Sequence, residues 1–155
     1  MAANTVTRVK PRRKPISNIT VPLKSGVALK QGNVAGNVPG THTCAEIGNV
    51  AAMIPLGIVV ESKSQPAGDL AVEIELFKKG TLEYFDNGPG GNEIVLSTHF
   101  MKFAFYLNDH TLTHVANDGS GNFYACAGRI YDVDPLYGVG ILPEQLPKAI
   151  SDLIS

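Results

Sequence analysis

The chain has no tryptophan, only two cysteines in 155 residues, and no acidic side chain before Glu46. Cys44 and Cys126 stand 82 positions apart with no metal-type spacing around either. That excludes a cysteine-held zinc module and a disulfide-dense secreted scaffold. It leaves two buried thiols in a reducing compartment, or a single long-range disulfide. Long apolar runs are missing too: the longest, Ala51 to Val60, is broken by Pro55 and Gly57. A membrane-spanning helix needs roughly 20 apolar residues, so no membrane role is expected. No apolar stretch of the kind that marks a secretory leader opens the chain. With 16 glycines and 10 prolines there is little room for long helices, which excludes a large helical enzyme.

What is present is enough apolar material for a core, 44% of residues, with 17% charged. The length is that of one domain, or of one domain with an arm. The net charge of −1 conceals a division. Residues 1–45 carry seven basic side chains (Arg8, Lys10, Arg12, Arg13, Lys14, Lys24, Lys30) and no acid. Residues 46–155 carry six basic and fourteen acidic ones, so the two parts stand at +7 and −8. A chain so polarised is expected to have a segment that meets a partner.

Residues 1–45 read as an extended basic N-terminal arm. Pro11, Pro15, Pro22 and Pro39 forbid a continuous helix. Val21, Leu23, Val27 and Leu29 are the one cluster there able to dock as a short strand. Residues 46–142 read as a series of short strands parted by turn signals. Met53 to Glu61 is β-rich, and Leu70, Val72, Ile74 and Leu76 alternate with Ala71, Glu73, Glu75 and Phe77. Strands are expected at 81–85, 94–96, 101–107, 111–115, 123–127, 129–133 and 137–142, with a loop over Asp86 to Asn92. This spacing predicts an all-β protein, a small β-barrel or sandwich. Past Pro143 the pattern turns helical, with Leu146, Ile150, Leu153 and Ile154 on one face, so a short C-terminal helix is expected over 143–155.

The search for chemistry is largely negative. The 86–92 loop lacks the Gly-Lys-Ser/Thr ending of a phosphate-binding loop, and no helix is expected after it whose N-terminus could hold a phosphate. His110 and His114 are four apart, but one falls in a hairpin loop and the other on a strand, so surface histidines are the simpler reading. His42 and Cys44 have no partner pair. Cys126 sits in the apolar stretch Phe123 to Ala127, which should bury it as an inert thiol. Asp132 and Asp134 share a strand face, but next to Pro135 they read as turn residues. No catalytic, metal or cofactor site assembles, and an enzyme is not expected.

Arg8, Lys10, Arg12, Arg13 and Lys14 are the candidate partner-binding residues. They would suit nucleic-acid phosphates. However, the arm lacks stacking aromatics and any reader motif, and the acidic body opposes a phosphate backbone. An acidic protein surface suits the same charges better. A third class, a carbohydrate-binding or adhesion sandwich, would use Tyr84, Tyr106, Tyr124 or Tyr137, which are expected to pack the barrel instead.

Two stretches carry a family resemblance. The first is Leu56-Gly57-Ile58-Val59-Val60, then the turn Pro66-Ala67-Gly68-Asp69, then Leu70-Ala71-Val72-Glu73-Ile74. The second is Phe105-Tyr106-Leu107-Asn108-Asp109, followed by Thr111-Leu112-Thr113, and through Asn117 to Asn122 into Ala127-Gly128-Arg129-Ile130-Tyr131-Asp132-Val133-Asp134. Over residues 56–142 this order resembles the small phage capsid decoration, or cement, proteins. The resemblance implies a structural virion protein on the outer surface of the capsid, made in the host cytoplasm. It would bind the major capsid protein and neighbouring copies of itself, as a homo-oligomer and as a trimer where three-fold positions are occupied. It implies no catalytic residues and no cofactor.

Overall fold

The computed structural model describes residues 16–144, and over them the protein is all-β. The first part contains β1 (Asn18–Pro22), β2 (Ala28–Leu29), β3 (Val34–Asn37), β4 (Cys44–Glu46), β5 (Ile54–Val59), β6 (Lys63–Ser64) and β7 (Ala71–Leu76). The second contains β8 (Glu83–Asn87), a 3-10 turn at Gly90–Asn92, helix α1 (Leu96–His99), β9 (Phe103–Tyr106), β10 (Thr111–Thr113), β11 (Cys126–Asp134) and β12 (Gly138–Pro143).

In the first part five strands pair in the order β1-β7-β5-β3-β4, every pair antiparallel. Its two outer strands come together where Leu23, just past β1, bridges Cys44 of β4 and the Lys24 amide donates to the Cys44 carbonyl at 2.9 Å. Neither edge is therefore left wholly open to pair with another chain. The β7 alternation has a clear sense: Val72 and Ile74 are buried while Glu73 and Glu75 face water. Gly57 of β5 lies so close to this strand that a Cβ would stand 2.0 Å from the Glu75 carbonyl oxygen.

In the second part the order β10-β8-β12-β11-β9 closes into a circuit, because β9 pairs back onto β10. The parallel contact of β10 with β8 is short, Thr111 opposite Asp86 and Leu112 opposite Asn87. One continuous core spans both parts, with Val34, Val59 and Ile74 in the same cluster as Leu112, Ile130 and Ile141. The Val34 amide donates to the Asp109 carbonyl at 2.8 Å across the junction, and Asn33 Nδ2 donates to Asp109 Oδ2 at 3.1 Å. Strand β9 is covered on both faces. Ala104 and Tyr106 enter the main core, while Phe105 packs in a smaller cluster with Ala116 and Cys126.

Several sequence expectations need correction. The arm expected over 1–45 does not extend to residue 45. From Asn18 the chain is part of the sheet, and Val21, Leu23, Val27, Leu29, Val34, Ala35, Val38, Cys44 and Ala45 are buried. The prolines permit this because Pro22 ends its strand, where a missing amide proton costs no ladder bond. Residues 1–15 lie outside the described residues, and so does the helix face expected at 146–154. Pro143 closes β12 rather than opening a helix, and Glu144 still bonds the Ala127 carbonyl at 3.3 Å. The strand expected at 94–96 is absent. Asn87 brackets Ile94 through two bonds, Oδ1 accepting from its amide at 2.8 Å and Nδ2 donating to its carbonyl at 2.9 Å, and α1 begins at Leu96. The strands expected at 123–127 and 129–133 are a single strand from Cys126, with a register shift between Cys126 and Gly128.

Candidate interaction surface

The β11–β12 turn sets what the outer face of the second part carries. Asp134 Oδ1 accepts from the amides of Leu136 at 2.7 Å and Tyr137 at 2.9 Å, the self-bonding turn that aspartate favours. Pro135 fixes one dihedral, and Gly138 supplies a φ of 94° that other residues rarely adopt. The result is a hydrogen-bonded tip that holds Leu136 81% and Tyr137 65% exposed.

Beside this tip, Tyr84 of β8 lies across its neighbour. It stands opposite Gly140 in the register, and a Cβ on Gly140 would be 2.8 Å from the tyrosine ring. The missing side chain lets the ring cross β12, and its hydroxyl donates to Asp132 Oδ2 at 2.8 Å. The Tyr137 ring leans on Tyr84 with centroids 5.9 Å apart. On β11, Ile130 pairs with Ile141 and Asp132 with Gly140, so Tyr131 is the extra residue of a bulge. It is exposed and sits 6.0 Å from the Phe100 ring. Tyr84, Phe100, Tyr131, Leu136 and Tyr137 thus form exposed apolar surface around the second part, joined by Val95 and Met101.

Acidic groups frame the Tyr84 and Tyr137 end of this surface, whereas Lys102 and Arg129 lie beside Met101 at the other. An open hollow of about 470 Å³ is lined by Asp86, Glu93, Asp134, Leu136 and Tyr137 among others, and no lysine or arginine lines it. None of Asp86, Glu93, Asp132 and Asp134 is in an ion pair among the described residues. The Tyr84 phenol is held above its ordinary range, first by its hydrogen bond to Asp132, and the charges of Asp132 and Asp134 add to this. Residues 16–144 carry seven basic and thirteen acidic side chains, a net of −6. The arrangement suits a cationic or amphipathic partner, because arginine and lysine can pair with carboxylates and also stack on tyrosine faces.

The remaining candidates fall elsewhere. Arg8, Lys10, Arg12, Arg13 and Lys14 lie outside the described residues. The 86–92 loop is a braced turn in which Asn92 Oδ1 accepts from the Thr113 hydroxyl at 2.9 Å. His110 is 2.8 Å from Asp109 Oδ1, whereas His114 stacks on His99 with ring centroids 4.2 Å apart. The spacing therefore does not bring His110 and His114 together. His99 Nδ1 accepts from the Val95 amide at 2.9 Å, and burial, then the neighbouring His114, lowers its pKa. No group of three or more metal-ligating side chains exists among the described residues. Cys44 and Cys126 are both buried thiols, not a disulfide, and burial pushes Cys44 up to about 11, far from a reactive thiolate.

The sequence pattern places Tyr84 and Tyr137 in barrel packing, and the structure places both on the outer face; Tyr106 is the one fully in the core. One local signal could have found the tip. Asp134-Pro135 followed by Gly138 is a turn signature, and turn residues between two strands stand in water whatever their hydrophobicity. The chain matches no protein-family model, no curated protein and no solved structure.

Proposed function

We propose that the protein is a structural component of a phage particle, seated on the outer surface of the capsid. There it binds the major capsid protein and neighbouring copies of itself and stabilises the shell. The observation that carries this reading is the division of charge. Five basic residues and no acid lie in residues 1–15, against a body of net −6. Arg8, Lys10, Arg12, Arg13 and Lys14 are the attachment residues, and they meet an acidic face of the shell protein. The body acts as a small barrel, a reading supported by the strand circuit of the second part and the bridged edges of the first. Such a body presents the exposed Leu136 and Tyr137 of the β11–β12 turn. The resemblance over 56–142 points the same way.

Single exposed ion pairs contribute only about 0–1 kcal/mol each. Retention comes from repetition, since arm and body engage together on a shell of many identical sites and the second contact forms at high effective concentration. A nucleic-acid module is the runner-up, and the acidic body opposes it, because charges of one sign repel a phosphate backbone. Replacing the five arm residues together by alanine tests the assignment. The wild-type protein should stay on purified particles in moderate salt while the variant is released, with neither binding arbitrary duplex DNA in fluorescence anisotropy. Full retention of the variant removes the arm from the account. Wild-type binding to duplex DNA that weakens steeply with salt favours the runner-up.

A further inference from the structure

Seven of the ten exposed large apolar side chains lie in the second part, on or beside β8, α1 and the β11–β12 hairpin. A surface that gathers so much exposed apolar area is a contact surface. Its acidic frame says what kind of contact. Asp86, Glu93 and Asp134 line the hollow together with Tyr137, Asp132 accepts from the Tyr84 hydroxyl beside it, and no lysine or arginine lines the hollow to neutralise them. The occupant that fits is basic, extended and able to lay guanidinium groups on aromatic faces.

The chain carries a segment of that charge. Residues 1–15 hold Arg8, Lys10, Arg12, Arg13 and Lys14, no acid, and two prolines. Where the described chain begins also matters. The Ser17 carbonyl accepts from the Leu76 amide at 2.8 Å, and Asn18 pairs with Glu75. β7 ends at Leu76, one residue past Glu75, and a short connection over residues 77–82 leads from there into Glu83, the first residue of β8. The segment therefore joins the body at the end of β8 that leads to Tyr84 and Asp86. Asp86 is three residues along from Glu83, about 10 Å at the rise of a strand. Fifteen residues span up to about 50 Å when extended, so the hollow is well within reach.

We propose that the tyrosine-and-carboxylate surface formed by β8 and the β11–β12 hairpin is the intramolecular seat of the chain's own basic segment, residues 1–15. The tether favours the chain's own segment over that of a second copy. A short linker holds the two at an effective concentration of about millimolar, above that of a free partner in dilute solution. The seat does not depend on the capsid reading. If that reading holds, a more densely acidic shell surface competes for the same segment and draws it off the body.

Paramagnetic relaxation enhancement on the full-length protein tests the seat directly. A nitroxide is attached through Thr7→Cys, and the label goes to that position because Cys44 and Cys126 are buried. In the isotope-labelled, nitroxide-carrying chain, the amides of Tyr84, Glu93 and Tyr137 should lose most of their intensity. The loss should reverse in high salt and disappear in the Arg12→Glu/Arg13→Glu background. A mixture of nitroxide-carrying chains without isotope and isotope-labelled chains without nitroxide should show no loss. Absence of broadening at these amides in the doubly labelled chain overturns the proposal. Broadening as strong in the mixture as in the doubly labelled chain also overturns it, since the occupant is then a second copy.

Discussion

Tyr106 is 2% exposed, edge-on to Phe85 at 5.7 Å, and its hydroxyl has no hydrogen-bond partner among the described residues. A buried hydroxyl without a partner keeps the cost of leaving water and gains nothing in return. Burial also raises its phenol pKa, so the group stays neutral. Tyr106→Phe should therefore leave stability unchanged or raise it by about 1 kcal/mol, as read from urea unfolding. A loss of that size would mean the hydroxyl has a partner. This residue is legible in kind, since the alternation of 101–107 marks a strand. Its burial agrees with the expectation that it packs the barrel, although strict alternation by itself puts Phe103 and Phe105 inward and Tyr106 outward. Two-sided strands defeat that inference, and the cluster around Phe105 and Cys126 is what makes β9 two-sided.

Elements with one wet face are the readable ones. β7 shows this, with Val72 and Ile74 inside and two glutamates outside. The segment between residues 16 and 46 reads wrongly as an arm because each of its strands buries only one or a few residues. β2 is two residues long and contributes Leu29, itself 2% exposed. Apolar density averaged along such a segment resembles that of an arm, although its apolar residues from Val21 to Ala45 supply much of the core. The distinction is measurable. Leu29→Ala should cost about 2–5 kcal/mol, the range for emptying a buried leucine site, in the same unfolding transition as the rest of the protein. A change within a few tenths of a kcal/mol would return residue 29 to a peripheral arm. α1 is not legible, because its start depends on the Asn87 side chain holding Ile94, a contact that no local pattern announces.

At the scale of the whole molecule, charge is the property that sequence and structure describe together. The basic residues before Ile16 are legible directly, and so is the acidity of residues 46–155. The surface that complements the basic segment is not. Asp86, Glu93 and Asp132 are brought together by β-pairing between distant segments, and Tyr84 reaches Asp132 only because Gly140 offers no side chain in its path. The proposed capsid role rests on this division of charge. The most direct measurement is the stoichiometry of this chain in particles banded on a density gradient, by quantitative mass spectrometry against the main shell protein. The account predicts a fixed, high ratio that tracks the particle peak across fractions. Particles without the chain, with all of it in the soluble fractions, would contradict the capsid reading.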